Sequence, residues 1–291
     1  MSKIREKLSI SWKYFSRFTK HRVFRLHPFL VVFRGISLSF LLLLGKSKVI
    51  SIKYGSQKFK FNFVPRGRNQ GGRGLFLYRE QIEPLMEFGH RLLKEGDVVL
   101  DGGANQGVFT TAFSAAVGSN GQVIYVEPFD YCHDLIKQNI ALNKKENVLL
   151  FKNVLVDVSK EYLLDFTQGV GKSSILRDFG GDKTLRVEGI TIHDIVNKLN
   201  LERLDLIKLD VEGAELIALR GGMEMIDRFK PAIVLECERA SYSEIYDLLG
   251  NIGYKSYLLD AVGRLESITS LQADEDNVFF LRENHLTNFQ V

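Results

Sequence analysis

Three acidic residues stand where apolar runs stop. Asp101 follows Val98-Val99-Leu100, Glu127 follows Val123-Ile124-Tyr125-Val126, and Asp210 follows Ile207-Lys208-Leu209. After the first acid the chain reads Gly102-Gly103-Ala104-Asn105-Gln106-Gly107, an Asp-x-Gly-x-x-x-Gly turn. Glycine suits a turn where a ligand lies against bare backbone, and an acid after the second run suits the two hydroxyls of a ribose. A dinucleotide fingerprint of the Gly-x-Gly-x-x-Gly type needs a different glycine spacing, with a pyrophosphate at the helix N-terminus. An anionic diphosphate would also be repelled by Asp101, whereas a cationic sulfonium bearing an amino-acid tail would not. The pattern therefore favours S-adenosylmethionine over NAD. Gly169-Val170-Gly171-Lys172-Ser173 looks like the tail of a phosphate loop, but the glycine required five positions before Gly171 is Phe166, so that reading fails.

The segment Ile207-Lys208-Leu209-Asp210-Val211-Glu212-Gly213-Ala214-Glu215 adds a lysine inside an apolar strand and three carboxylates at its end. A buried lysine is costly unless paired, so a carboxylate partner is expected, with Asp101 and Asp210 the candidates. Part of the acidity has a plainer explanation, since carboxylates are favourable in the first turn of a helix. Glu236 and Glu238 close the next predicted strand on the same rim and complete an acidic mouth with Asp210 and Glu212. Two chemistries fit such a mouth: a general base for a hydroxyl proton, or a hard divalent metal on oxygen ligands. The absence of histidine from these segments argues against a transition metal. His193, at a predicted helix start, reads as a surface or capping residue, and His133 carries no signal.

These residues need a scaffold that brings strand ends together. Strands are predicted at 97–100, 123–126, 148–151, 205–209, 232–235, 254–259 and 277–281. Helices lie between them at about 81–94, 108–117, 131–143, 192–199, 214–229 and 241–249, and residues 152–184 read as polar, glycine-rich excursions. Apolar strands alternating with amphipathic helices give an α/β, doubly wound, mainly parallel sheet with its strand C-termini on one rim. Ahead of it, Val49 to Tyr54 and Lys58 to Phe63 alternate around Gly55 as a hairpin, and Arg66 to Gly74 reads as a solvated loop. The division expected is residues 1–75 as a basic helical extension with a hairpin and 76–291 as the ligand-binding domain.

The chain of 291 residues has a net charge of +4, which hides an asymmetry. Residues 1–48 carry eleven Lys/Arg against the single acid Glu6, so a basic arm is fused to a mildly acidic body. Residues 29–44 are apolar but short for a bilayer span and interrupted by Arg34. A helix packed on the body is the preferred reading. Peripheral membrane contact through residues 1–48 is the alternative, and a true span is disfavoured. No compact signal sequence opens the chain. Cys132 and Cys237 lack metal-ligand spacing and read as free thiols in a reducing, cytoplasmic setting.

The Asp101 to Gly107 turn, Glu127-Pro128 and the Ile207 to Glu215 segment together resemble the FkbM family of S-adenosylmethionine-dependent methyltransferases. Gly189-Ile190-Thr191-Ile192-His193-Asp194 and Pro231-Ala232-Ile233-Val234-Leu235-Glu236 also fit. The resemblance covers residues 78–260. It implies a Rossmann-like class I fold of seven strands, the last antiparallel, and methyl transfer to a hydroxyl of a sugar, lipid or secondary metabolite. By position, Asp101, Gly103, Asn105 and Gly107 would surround the methionine end of the cofactor, Glu127 would hold the ribose, and Asn153 would lie near adenine. Gly102 replaces the small aliphatic residue more usual in the family, which should loosen the turn. Asp210 and Glu212 are the expected proton acceptors or acceptor-orienting groups, Lys208 orients them, and Glu236 joins the catalytic set. A metal is left open. The rivals are a non-catalytic module keeping the fold, and a nucleic-acid methyltransferase. The latter is disfavoured as Asp210-Val211-Glu212-Gly213 does not match the Asn/Asp-Pro-Pro-aromatic segment of base N-methylation.

Overall fold

The computed structural model describes residues 22–55, 57–64, 70–79, 84–169, 172–177, 180–260, 263–273 and 275–289. Most of the aromatic and basic segment expected to be helical at the start, and residues 65–69 and 81–83, lie outside these. Two helices come first, α1 (Arg22–Leu26) and α2 (Pro28–Leu44). Proline opens α2 because its missing N–H is one that a helix start leaves orphaned. Gly45 closes it with φ 62°, its N–H on Leu42 O and that of Lys46 on Leu41 O, the double closure of a Schellman turn.

The hairpin β1 (Lys48–Tyr54) and β2 (Gln57–Phe63) is antiparallel, with Lys48 opposite Phe63 and Tyr54 opposite Gln57. Alternation puts Ile50, Ile52, Tyr54, Phe59, Phe61 and Phe63 in the core. Next come α3 (Gln70–Tyr78) and α4 (Pro84–Leu92). The glycine-rich stretch predicted to be a loop is thus helical from Gln70. Buried Leu75 and Phe76 anchor it, and Arg34 Nη1 donates to Leu77 O at 2.9 Å. Tertiary packing and that carbonyl cap override the poor helix propensity of glycine.

The main body runs β3 (Val98–Gly102), α5 (Val108–Ala116), β4 (Gln122–Val126), α6 (Asp130–Leu142) and β5 (Val148–Phe151), then a small sheet of β6 (Val154–Leu155), β7 (Glu161–Asp165) and β8 (Thr184–Ile190). It continues with α7 (Ile192–Leu199), β9 (Leu206–Leu209), α8 (Glu215–Arg220), α9 (Met223–Phe229), β10 (Ala232–Glu238) and α10 (Arg239–Gly250). The chain closes on β11 (Lys255–Leu259), β12 (Leu265–Ile268) and β13 (Glu275–Leu281). The large sheet has the order β12-β11-β13-β10-β9-β3-β4-β5. Strands β5, β4, β3, β9 and β10 are parallel, and β13 lies antiparallel between β10 and β11. The seven expected strands are therefore present, and β12, hairpinned onto β11, adds an eighth at the edge.

Alternate residues of each strand serve two cores. Val99, Val123, Val234 and Phe279 face one that also takes the hairpin side chains, Leu38 and Phe76. Leu100, Ile124, Ile207 and Leu235 face the other. The outward edge of β2 is met by asparagines of α6 and its end. Asn143 accepts from Lys60 N and donates to Lys60 O, both at 2.7 Å, and Asn139 Oδ1 accepts from Asn62 N at 2.7 Å. These amides stand in for a neighbouring strand and blunt the edge.

Candidate functional site

The sheet reverses its winding direction between β3 and β9, and in open α/β sheets ligands bind outside the strand C-termini at that switch. Gly102 ends β3, Val126 ends β4 and Leu209 ends β9, so the three acids predicted from the sequence arrive at one rim. A cleft opens there, lined among others by Gly103, Asn105, Glu127, Asn153, Leu155, Asp210 and Glu212.

The turn after β3 is built on positive φ at Gly103 (71°), Asn105 (49°) and Gly107 (76°). A side chain at Gly103 would sit 1.8 Å from Asp210 O, so glycine here lets β3 and β9 close together. The space a side chain would take at Gly102 is filled by Leu155 and Leu209, whose methyls come within 2.5 and 2.9 Å of the ideal Cβ position.

Asp101 is fully buried and does not reach the cleft wall. Its Oδ2 accepts from Thr110 Oγ1 at 2.5 Å, and its Oδ1 lies 3.3 Å from Lys208 Nζ. Lys208, also buried, donates to Gly103 O at 3.2 Å and reaches Asp210 Oδ2 at 3.4 Å. It lies over the Phe109 ring, 5.4 Å from the centroid. Both carboxylate partners anticipated for the lysine are therefore present. Asp210 differs from Asp101 in keeping 39% of its side chain exposed, on the cleft.

Glu127 is buried with both oxygens engaged by backbone: Oε2 accepts from Asn105 N at 2.8 Å and Oε1 from Phe129 N at 3.1 Å. Burial pushes its carboxyl up to about 7, opposed by those donors and by the Lys208 charge. Each oxygen keeps a lone pair for a further donor. Asn153 stands on the cleft wall, its amide donating to Glu188 O at 3.1 Å. With the apolar side chains of Leu155, Leu164 and Ile175 opposite, these groups could take a ribose and a flat heterocycle.

Beyond β9 the backbone is tightly curved, with Glu212 at φ 55° and Gly213 at φ 95°. A glutamate in the left-handed region is uncommon, and such strain is held where surroundings enforce it. Here buried Glu215 does so: its Oε1 accepts from Val211 N at 2.9 Å and Gly213 N at 3.4 Å. Burial pushes that carboxyl, too, up to about 7. Ser174 Oγ adds a bond to Glu212 O at 3.3 Å. Glu215 is thus the acid explained by local structure, and sequence offered only its helix-start position as a signal. Glu236, in β10 opposite Asn277, is half-buried one strand away, and Glu238 pairs with Arg177. Thr191, not His193, caps α7, while His193 Nδ1 lies 3.2 Å from Glu224. Among the described residues no cluster of His, Cys, Asp and Glu has a metal-holding arrangement.

A family profile described as the methyltransferase FkbM domain matches residues 101–256, more than half of the chain. The chain belongs to the FkbM methyltransferase family. The matched FkbM domain begins at Asp101 and includes every residue of the cleft named above. One relative, methyltransferase sdnD of Sordaria araneosa, is 28% identical over 44% of this chain and 61% of its own length. The FkbM chain thus spans about three fifths of that relative. Among solved structures, a methyltransferase FkbM from Methylobacillus flagellatus KT is similar at TM-score 0.42 with 14% identity, over 85% of this chain and 59% of that one. Fibrillarin of Aeropyrum pernix with natively bound S-adenosyl-L-methionine is similar at TM-score 0.38 with 12% identity, over 65% and 68%.

Proposed function

We propose that this protein is an S-adenosylmethionine-dependent O-methyltransferase acting on a hydroxyl of a sugar, lipid or secondary metabolite. The observation that carries the reading is the pairing of a half-exposed carboxylate, Asp210, with a buried lysine at the cleft outside the strand C-termini. S-adenosylmethionine, when bound, supplies an electrophilic methyl on a cationic sulfur. The protein's task is then to hold an acceptor oxygen in line and remove its proton. Asp210 and Glu212 are assigned that proton, Lys208 fixes Asp210, and Glu236 contributes negative charge from the neighbouring strand. Gly103, Asn105 and Gly107 give the cofactor's amino-acid end a backbone cradle, Glu127 accepts from the ribose hydroxyls, and Asn153 meets the base. Asp101 acts from below, through Lys208.

The test is S-adenosylhomocysteine release by the purified chain across a panel of hydroxyl-bearing acceptors, with the methylated atom identified by NMR. Asp210→Asn is expected to lower turnover about 10²–10⁴-fold, the range a positioned general base contributes. Glu212→Gln should lower it by less. Methyl found only on nitrogen or carbon, or unchanged turnover in both variants, overturns the assignment.

Glu127 gives a pH test. Its folded-state value lies above the ordinary carboxylate range, so the fold retains a proton that the unfolded chain gives up. That contribution to stability is present at low pH and is lost as pH rises through about 7. Only the ionised carboxylate accepts from both ribose hydroxyls. Affinity for S-adenosylmethionine should therefore rise with pH up to about 7, by up to ~tenfold per pH unit, and then level off. Calorimetric titration should show this slope, and Glu127→Gln should flatten it. A pH-independent affinity in the parent would remove Glu127 from the cofactor site.

A further inference from the structure

Among the described residues, helix α2 is packed on one side only. Val31 and Leu38 are buried, and Arg34 turns inward to Leu77 O. The charge that interrupts the apolar segment in the sequence is thereby taken off its outer face. That face carries Phe29, Phe33, Ile36, Phe40 and Leu43, exposed by 89, 71, 65, 63 and 81%. Their spacing of four, three, four and three residues keeps them in one stripe along a helix of 17 residues, about 25 Å long. A contiguous apolar face of this kind on a folded protein marks an interaction surface. Arg25 flanks it at one end and Lys46 and Lys48 at the other, and no Asp or Glu occurs anywhere from residue 7 to residue 79.

We infer that α2 is a bilayer-docking face: it lies in the plane of an anionic membrane with the phenylalanine stripe among the acyl chains and the flanking cations on headgroup phosphates. Charge decides between lipid and a second copy of the chain. The stripe has the spacing of a coiled-coil seam, but its flanks lack the acidic residues that would pair across one. A copy laid on it, parallel or antiparallel, would set cationic helix ends against cationic helix ends. An anionic lipid surface complements those ends and accepts the stripe. Nucleic acid would satisfy the charges but would leave the stripe in water. The inference stands apart from the methyl-transfer chemistry and uses none of the cleft residues.

The experiment is flotation of the full chain with vesicles of phosphatidylcholine alone and of phosphatidylcholine mixed with phosphatidylglycerol. Phe33→Ser and Phe40→Ser, singly and together, are compared with the parent, folding being checked by circular dichroism and cofactor binding by titration. Both positions are exposed, so stability and S-adenosylmethionine affinity should not change. Binding to the mixed vesicles is expected, weakened by salt and reduced about tenfold by each substitution. Four results would overturn the inference. One is the absence of vesicle binding by folded protein. Another is a lipid-free dimer that the substitutions convert to monomer. A third is RNA binding that exceeds vesicle binding and ignores the substitutions. The last is vesicle binding that survives the double substitution, which would assign the contact to residues 1–21 instead.

Discussion

Lys208→Met is expected to destabilise the protein by about 3–5 kcal/mol, the cost of leaving one member of a buried ion pair without its partner. The reason lies in the unequal fates of its two carboxylates. Asp210 keeps 39% of its side chain exposed and can turn to water, whereas the Asp101 side chain is wholly buried, with Lys208 as the nearby cation. Thr110 supplies a hydrogen bond to Asp101 at 2.5 Å but no charge. The melting temperature should fall by roughly 10 °C, read by calorimetry or by circular dichroism against temperature. Adding Asp101→Asn tests the cause. The amide keeps an acceptor for Thr110 and removes the buried charge, so the double variant should recover more than half of the loss. If the double variant falls further than Lys208→Met alone, the lysine stabilises by packing on Phe109 rather than by compensating Asp101. Turnover should drop in both, because Asp210 loses the group that fixes it.

How far this centre was legible in the sequence follows from where each residue sits. Asp101, Glu127 and Asp210 announce themselves because each ends an apolar run, and strand ends in such a sheet share a rim. Lys208 was legible as an anomaly, a charge inside a strand, and the cost of burying it unpaired pointed to Asp101 and Asp210 as its partners. Thr110 and Glu215 were not legible as partners. A threonine in a helix and a glutamate at a helix start are both ordinary in sequence, and only tertiary contact gives them Asp101 and the Val211 to Gly213 backbone to bind. The fold shows the same division. The long apolar strands were read, whereas β6 and β7 were missed within a polar, glycine-rich stretch, β8 just after it, and β12 in a short edge segment. The helix expected over 214–229 is two helices. A side chain at Gly221 would lie 2.1 Å from Val156 O, so the break comes from a distant segment crossing that point. The apolar N-terminal helix was read as packing on the body or touching lipid. The structure packs one face and exposes the other, and the orientation of Arg34 separates the two.

Gly103→Ala should combine a fold defect with a binding defect, and a control can separate them. At φ 71° an alanine pays the left-handed penalty of about 1–2 kcal/mol. Its methyl must also clear Asp210 O, which lies 1.8 Å from the ideal Cβ position. That oxygen belongs to the backbone and cannot rotate away, so β9 must move from β3, at a further cost of about 1–3 kcal/mol. The sum predicts a melting temperature lower by roughly 5–10 °C. Displacing β9 also moves Asp210 and the Gly103 carbonyl that accepts from Lys208, so cofactor affinity should collapse along with stability. Gly118→Ala supplies the control. It has a similar φ of 67°, but its nearest neighbour is the flexible Glu95 side chain at 2.9 Å. That variant should lose only the conformational term, about 1–2 kcal/mol, and should bind S-adenosylmethionine as the parent does. Equal losses of stability in the two variants would mean that β9 gives way freely at Asp210. Intact cofactor binding in Gly103→Ala would mean that the turn after β3 does not form the cofactor cradle.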